Sequence, residues 1–199
     1  MKRPPATLAD EDIRPSLRSH LRVKHACEDD SMMLEEVGLC RGQVRIDLLV
    51  VNGLLYGYEI KSDRDSLRRL IEQVNFYSRI LDRATLVVGS RHLHEATKIV
   101  PSWWEILRFD STSGSPRFKT VRDGCGNPGR DPRSLVELLW LEDAMALLEM
   151  RGAARGVKGK PRRVVWDRVC ERFHVDEIAT AVRAHLKARA MQKAPPPPL

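Results

Sequence analysis

The stretch Val44–Ser62, VRIDLLVVNGLLYGYEIKS, constrains this chain more than any other. Both halves are apolar, and Asn52-Gly53 between them is a strong tight-turn pair. The chain is therefore expected to double back as a hairpin over Gln43 to Lys61. A lone hairpin is not stable in water, so further strands or helices must cover it. Yet the first strand carries Asp47 and the second carries Glu59 and Lys61, residue types that a core strand ordinarily avoids.

Side chains alternate along a strand, so Glu59 and Lys61 project from the same face. Arg45, Asp47 and Leu49 share one face of the first strand, and the turn decides whether Asp47 joins Glu59. A two-residue turn pairs Val51 with Leu54, puts Asp47 opposite Tyr58 and separates the carboxylates. A three-residue loop, Val51-Asn52-Gly53, with Gly53 in the left-handed conformation, pairs Val50 with Leu54. Asp47 then faces Gly57, with Glu59 diagonally beside it on the same face and open space at the glycine. Two neighbouring carboxylates repel unless a cation lies between them. Hard oxygen donors of this kind suit Mg²⁺ or Mn²⁺, which activates water and stabilises charge on a phosphate oxygen. Lys61 is placed to orient or deprotonate that water, or to stabilise the developing charge. An exposed polar face with a Glu–Lys surface pair is the plainer alternative.

Around the hairpin the expected order is helix, three strands, helix, strand, helix, strand, an α/β arrangement with a mixed sheet. Ile13, Leu17 and Leu21 give Asp10–Ala26 a helical period, and Met32–Leu39 reads as a strand. Ser62 and Asp63 are suited to cap a helix of about five turns, in which Leu67, Leu70, Ile71, Val74, Ser78 and Leu81 keep a 3.6-residue period. Ala84–Gly89 reads as a buried strand, Arg91–Val100 as a helix and Trp103–Phe109 as a strand. Trp103 and Trp104 are expected to cover a core edge. Residues 111–132, rich in Gly, Pro and Ser, read as a linker or loop between a domain at 1–110 and a basic helical region at 133–193. Within that region Ser134–Met150 reads as one amphipathic helix, and a Pro-rich tail follows at 194–199.

With Ile46-Asp47 on one strand, Glu59-Ile60-Lys61 on the next, and a helix and strand beyond, Asp10 to Phe109 resembles the PD-(D/E)XK nuclease superfamily. Its PSWWEILRF ending is similar to a little-characterised bacterial branch. Ile46 stands where the name-giving motif has proline. The resemblance implies a restriction-endonuclease-like αβββαβ core and metal-dependent hydrolysis of DNA phosphodiesters with Mg²⁺ or Mn²⁺. It implies Asp47 and Glu59 as metal ligands, an assisting carboxylate from Glu36 (or Glu35), Lys61 acting on water, and Gln73, one turn before Tyr77, in support. A catalytically silent DNA-binding module on the same fold, and a protein-interaction scaffold, are the alternatives.

Charge supplies the partner. Residues 151–199 hold twelve Lys and Arg against four Asp and Glu, whereas residues 1–150 hold 22 against 23. Arg151, Arg155, Lys158, Lys160, Arg162 and Arg163 crowd a segment containing Gly152, Gly156 and Gly159. Glycines let backbone N–H groups approach phosphates, and the basic chains neutralise them, so this segment is expected to grip DNA. A solvated basic face is the alternative. No apolar run reaches the length of a membrane span, and the four widely spaced cysteines form no CxxC pair. A cytoplasmic protein with reduced thiols is expected, with no membrane partner, no small-molecule cofactor, and homodimerisation left open.

Overall fold

The strands of the sheet lie side by side in the order in which the chain makes them. The computed structural model describes residues 8–28, 30–111 and 116–193, so the Pro-rich tail at 194–199 lies outside the described residues. Among these residues the sheet has six strands: β1 (Met32–Leu39), β2 (Val44–Val51), β3 (Leu55–Lys61), β4 (Arg83–Val88), β5 (Glu105–Asp110) and β6 (Arg117–Arg122). Neighbours pair antiparallel except β3–β4 and β4–β5, which are parallel. Parallel neighbours need a crossover. Helices α2 (Leu70–Tyr77) and α3 (Leu93–Ile99) supply the two crossovers. This mixed α/β order reproduces the expected one as far as β5.

Two layers of helix cover the sheet. Helix α1 (Asp10–Lys24) opens with Asp10, Glu11 and Asp12, which suit its positive end, and buries Ile13, Leu17 and Leu21 at four-residue spacing. These meet Leu48, Val50, Tyr58, Ile60, Val87 and Phe109 on one face of the sheet. The other face presents Ile46, Leu49, Val51, Leu86 and Val88 to α2 and to the C-terminal helices α4 (Pro132–Val136), α5 (Leu141–Met150), α6 (Arg162–Arg172) and α7 (Val175–Lys193). Leu135, Leu148, Val169 and Val182 belong to the same buried cluster as the sheet. Trp103 and Trp104 are buried there, as expected, and Trp104 packs on Tyr77.

Three local expectations change. The helix after β3 is shorter than its apolar period suggests: a 3-10 turn at Leu67–Arg69 leads into α2, which ends at Tyr77. The turn after β3 is held by Asp65, which accepts from Ser62, and the cap is Ser66. Beyond Tyr77 the Asn127 side chain donates to the carbonyls of Ser78 and Leu81 at 2.8 and 2.7 Å, satisfying groups that a longer helix would have used. Residues 111–132, read as loop, contain β6, an edge strand whose Arg117 and Lys119 point outward while Phe118 packs on Phe109. The helix expected over Ser134–Met150 is two. Leu135, Val136, Leu138 and Leu139 are all buried, which one straight helix face cannot achieve. The chain kinks there, with Leu138 and Leu139 N–H bonded to the carbonyls three residues back.

The β2–β3 connection has odd length, as the face argument requires, but sits one residue later. Val51 pairs with Leu55, and Asn52-Gly53-Leu54 forms the loop with Gly53 at φ 92°. Gly57 leaves no open space: an added Cβ would lie 2.3 Å from Ile46 Cδ1 and 2.5 Å from Leu81 Cδ1. At Gly53 a Cβ would meet nothing within 4 Å, so the backbone angle alone should decide the outcome. Gly53→Val is expected to cost about 1–3 kcal/mol. Urea unfolding should show a lower midpoint at unchanged slope.

Candidate active site

The break in β1 and β2 creates the site. The two strands keep one register on either side, Glu35 with Leu48 and Val37 with Ile46, but the Glu36/Asp47 pair between them is missing. Glu36 has φ 53°, a left-handed conformation that a non-glycine residue adopts at a cost. The pleat changes phase there. Leu34 and Val37, three apart, both pack on the same core cluster, as do Ile46 and Leu49. The expected alternation, with Asp47 and Leu49 on one face, therefore stops at Asp47. Extending the β2–β3 register places Asp47 across from Glu59, not Gly57.

Asp47, Glu36, Glu59, Lys61 and Gln73, singled out in the sequence from β1, β2, β3 and α2, all line one cleft of about 480 Å³. Glu59 is 2% exposed and Lys61 5%. The Lys61 ammonium lies 2.5 Å from Glu59 Oε1, and Gln73 Nε2 donates to the same oxygen. Tyr77 donates its hydroxyl to Glu59 Oε2 at 2.7 Å. Gln73 Oε1 is buried and accepts nothing. Burial, then repulsion from Asp47, raises the Glu59 carboxyl to about 7, although Lys61 and Tyr77 favour its ionised form. Burial also raises Asp47, opposed by the Ile60 N–H, which donates to Asp47 Oδ2 at 2.7 Å, and by Arg14.

Asp10 and Arg14 on α1 complete the cleft, and neither is among the expected site residues. The Arg14 guanidinium is 2.8 Å from Glu36 Oε1, 2.8 Å from Asp47 Oδ1 and 2.9 Å from Asp10 Oδ2. Their four-residue spacing at the start of α1 was legible; that α1 crosses the sheet at Asp47 was not. Glu35 pairs with Arg18, whereas Glu36 lines the cleft. Arg45 and Arg69 also line it. Among the described residues no group of three or more His, Cys, Asp and Glu side chains is gathered to hold a metal ion. The donor chemistry nonetheless suits a hard cation. Asp10, Glu36, Asp47, Glu59, Asp65 and Glu72 set six carboxylates against Arg14, Arg45, Lys61 and Arg69.

The basic segment is exposed, with Gly152, Gly156 and Gly159 at positive φ and Val157 anchoring it in the core. Two of the six side chains expected to grip DNA have carboxylate partners: Arg151 pairs with Glu177 and packs on Phe173, and Arg163 reaches Asp167. Arg155, Lys158, Lys160 and Arg162 have no carboxylate partner among the described residues. Arg162 lies over the Trp166 ring.

The raised Glu59 carboxyl makes a pH prediction. Its folded-state value lies above that of the unfolded chain, so its contribution to stability is complete below about 4.3 and is lost as pH rises to about 7. Glu59→Gln removes this titration. The melting temperature of Glu59→Gln minus that of the wild type should rise between pH 4.5 and 7 and flatten beyond. A flat difference across that window would mean that Glu59 titrates normally.

A family profile described as Bacteriophage P4 protein cII matches residues 5–194. Protein cII of Enterobacteria phage P4 is 31% identical over 117 residues, 59% of this chain and 44% of that protein, so the chain spans less than half of that relative's length. A solved protein of unknown function from Silicibacter pomeroyi superposes over 80% of this chain and 97% of its own at 20% identity, with a TM-score of 0.42. By the extent of the profile match, the chain belongs to the Bacteriophage P4 protein cII family.

Proposed function

We propose that this protein is a metal-dependent nuclease of the PD-(D/E)XK type, with a restriction-endonuclease-like core, acting on DNA phosphodiesters at the cleft between α1, β2, β3 and α2. The observation that carries the reading is the convergence there of Asp47, Glu59, Lys61 and Gln73. A carboxylate and an ammonium buried side by side are costly to keep for stability alone, and such pairs mark functional sites. Asp47 and Glu59, helped by Glu36, would hold Mg²⁺ or Mn²⁺. When bound, the ion would supply Lewis acidity toward a phosphate oxygen and a more acidic water. It would also offset the carboxylate excess that otherwise repels a phosphodiester.

The side chains divide the remaining work. Lys61, fixed by Glu59 and lining the cleft, would meet an attacking water or a developing charge there. Gln73 uses its N–H groups on Glu59 and Tyr77 and so helps to hold the Glu59 carboxylate in place. Tyr77 ties Glu59 to the α2 layer. Arg155, Lys158, Lys160 and Arg162 would contact the DNA backbone and position it without reading bases. Among the described residues no helix is long and apolar enough to cross a membrane.

Arg14 favours a second reading, a DNA-binding module without catalysis, because its guanidinium already neutralises Asp10, Glu36 and Asp47. Plasmid nicking separates the two. With Mg²⁺ or Mn²⁺ the wild type should nick, and Lys61→Ala should be slower by about 10²–10⁴-fold. Asp47→Ala and Glu59→Ala should lose both nicking and the metal-induced rise in melting temperature. Salt-sensitive DNA binding with no nicking in either metal would favour the silent module. Arg14→Ala, which takes the shared guanidinium from Asp10, Glu36 and Asp47 and leaves Glu36 only Arg45, should show a larger metal-induced melting shift than the wild type.

A further inference from the structure

A groove of about 840 Å³ runs between the free edge of β1 and the C-terminal helices, outside the cleft just described. Glu36 and Gly42 line both, so the two spaces meet at the break in β1. The groove's acids are already paired: Glu35 with Arg18, Glu36 with Arg14, and Glu137 with Arg133. Its arginines are not. Arg41, Arg162 and Arg189 line it with no carboxylate partner among the described residues. The Arg189 guanidinium lies 4.6 Å from the Trp140 ring centre, and its Nε is buried without a hydrogen-bond partner. Trp140 is 46% exposed, whereas Trp103, Trp104 and Trp166 are buried. The groove therefore offers positive charge without carboxylate partners beside one half-exposed aromatic ring, which carries Arg189 over it and meets the His185 ring in a T-shaped contact at 5.2 Å.

We propose that this groove holds a single-stranded segment of the DNA whose phosphodiester occupies the cleft, with a base stacked on Trp140 and phosphates on Arg41, Arg162 and Arg189. The proposal rests on the nuclease reading for its choice of DNA and adds the form of the substrate. Bases within a duplex stack on one another, so only an unpaired base has a free face for the indole. Unpaired arginines match the charge of a phosphate backbone. A peptide pairing with the edge of β1 would use backbone hydrogen bonds and leave the arginines and Trp140 without a role.

Tryptophan fluorescence of the full chain, in EDTA so that cleavage plays no part, tests the idea with short oligothymidylate as the probe. The single strand should quench the emission, and a duplex of the same length should not. Trp140→Leu keeps apolar bulk but lacks a stacking face; it should lose the quench and weaken binding about tenfold, read by anisotropy of a labelled strand. Replacing Arg41, Arg162 and Arg189 with glutamine should lower the slope of log affinity against log salt by about 2. Melting curves check that each variant folds, and Arg189→Gln serves alone if Trp140→Leu does not. Wild-type affinity in folded Trp140→Leu and Arg189→Gln, equal quenching by duplex, or a preference for oligouridylate would overturn the proposal. Quenching without metal-dependent nicking would uphold the groove and remove the nuclease reading. Nicking with wild-type binding in the groove variants would do the reverse.

Discussion

A carboxylate removed from water must have its oxygens answered, and the arrangement around Glu59 follows from that requirement. Its oxygens are met by Lys61 from the same strand and by Gln73 and Tyr77 from one face of α2. Each donor fixes a piece of architecture. Lys61 needs the two-residue period of β3, while Gln73 and Tyr77 need the four-residue period of a helix laid across it. Tyr77 also lies 2.8 Å from the Arg45 carbonyl, an alternative acceptor for its one hydroxyl proton, which brings β2 to the same point. Loss of any one donor would leave charge in a low-dielectric interior, a far larger penalty than loss of a surface pair.

Asp47 is handled differently, and the contrast gives the cleft its polarity. It keeps a share of solvent and is balanced by the Ile60 N–H and by a guanidinium that also holds Glu36 and Asp10. One wall of the cleft is thus fixed by short buried contacts, and the other by a long side chain that half-exposed acids share. The strained backbone at Glu36 belongs to the second wall, where β1 gives up one ladder pair and turns a carboxylate toward Arg14.

Much of this was legible in the sequence because it is periodic. The Glu59–Lys61 spacing, the Gln73–Tyr77 spacing and the parity of the hairpin loop each follow from a repeat of two or 3.6 residues. What escaped was set by contacts between distant segments. Nothing near Tyr77 announces the end of α2, because Asn127 supplies its cap from beyond β6. The phase change at Asp47 is invisible in VRIDLLVV, since both faces of β2 are apolar and either alternation looks sound. Asp10 and Arg14 are an ordinary surface pair until α1 is laid across the sheet. The Gly- and Ser-rich flanks of β6 hid a strand whose apolar content is little more than Phe118 and Val121.

Asn127 has a mechanical consequence. With its backbone N–H on the Asp82 carbonyl and its side chain on Ser78 and Leu81, it clasps the link between α2 and β4. Asp82 in turn accepts from the Leu55 N–H and from Arg130, and lies 3.8 Å from Arg183 on α7. The start of β3, the start of β4 and the last helix are therefore latched at one carboxylate. Peeling α7 away would take Arg183 from that carboxylate and Asp176 from Arg130, loosening the latch. Hydrogen exchange in the C-terminal helices and in the central strands should accordingly proceed through one shared opening event, so that a pull on the end of the chain is felt at the sheet.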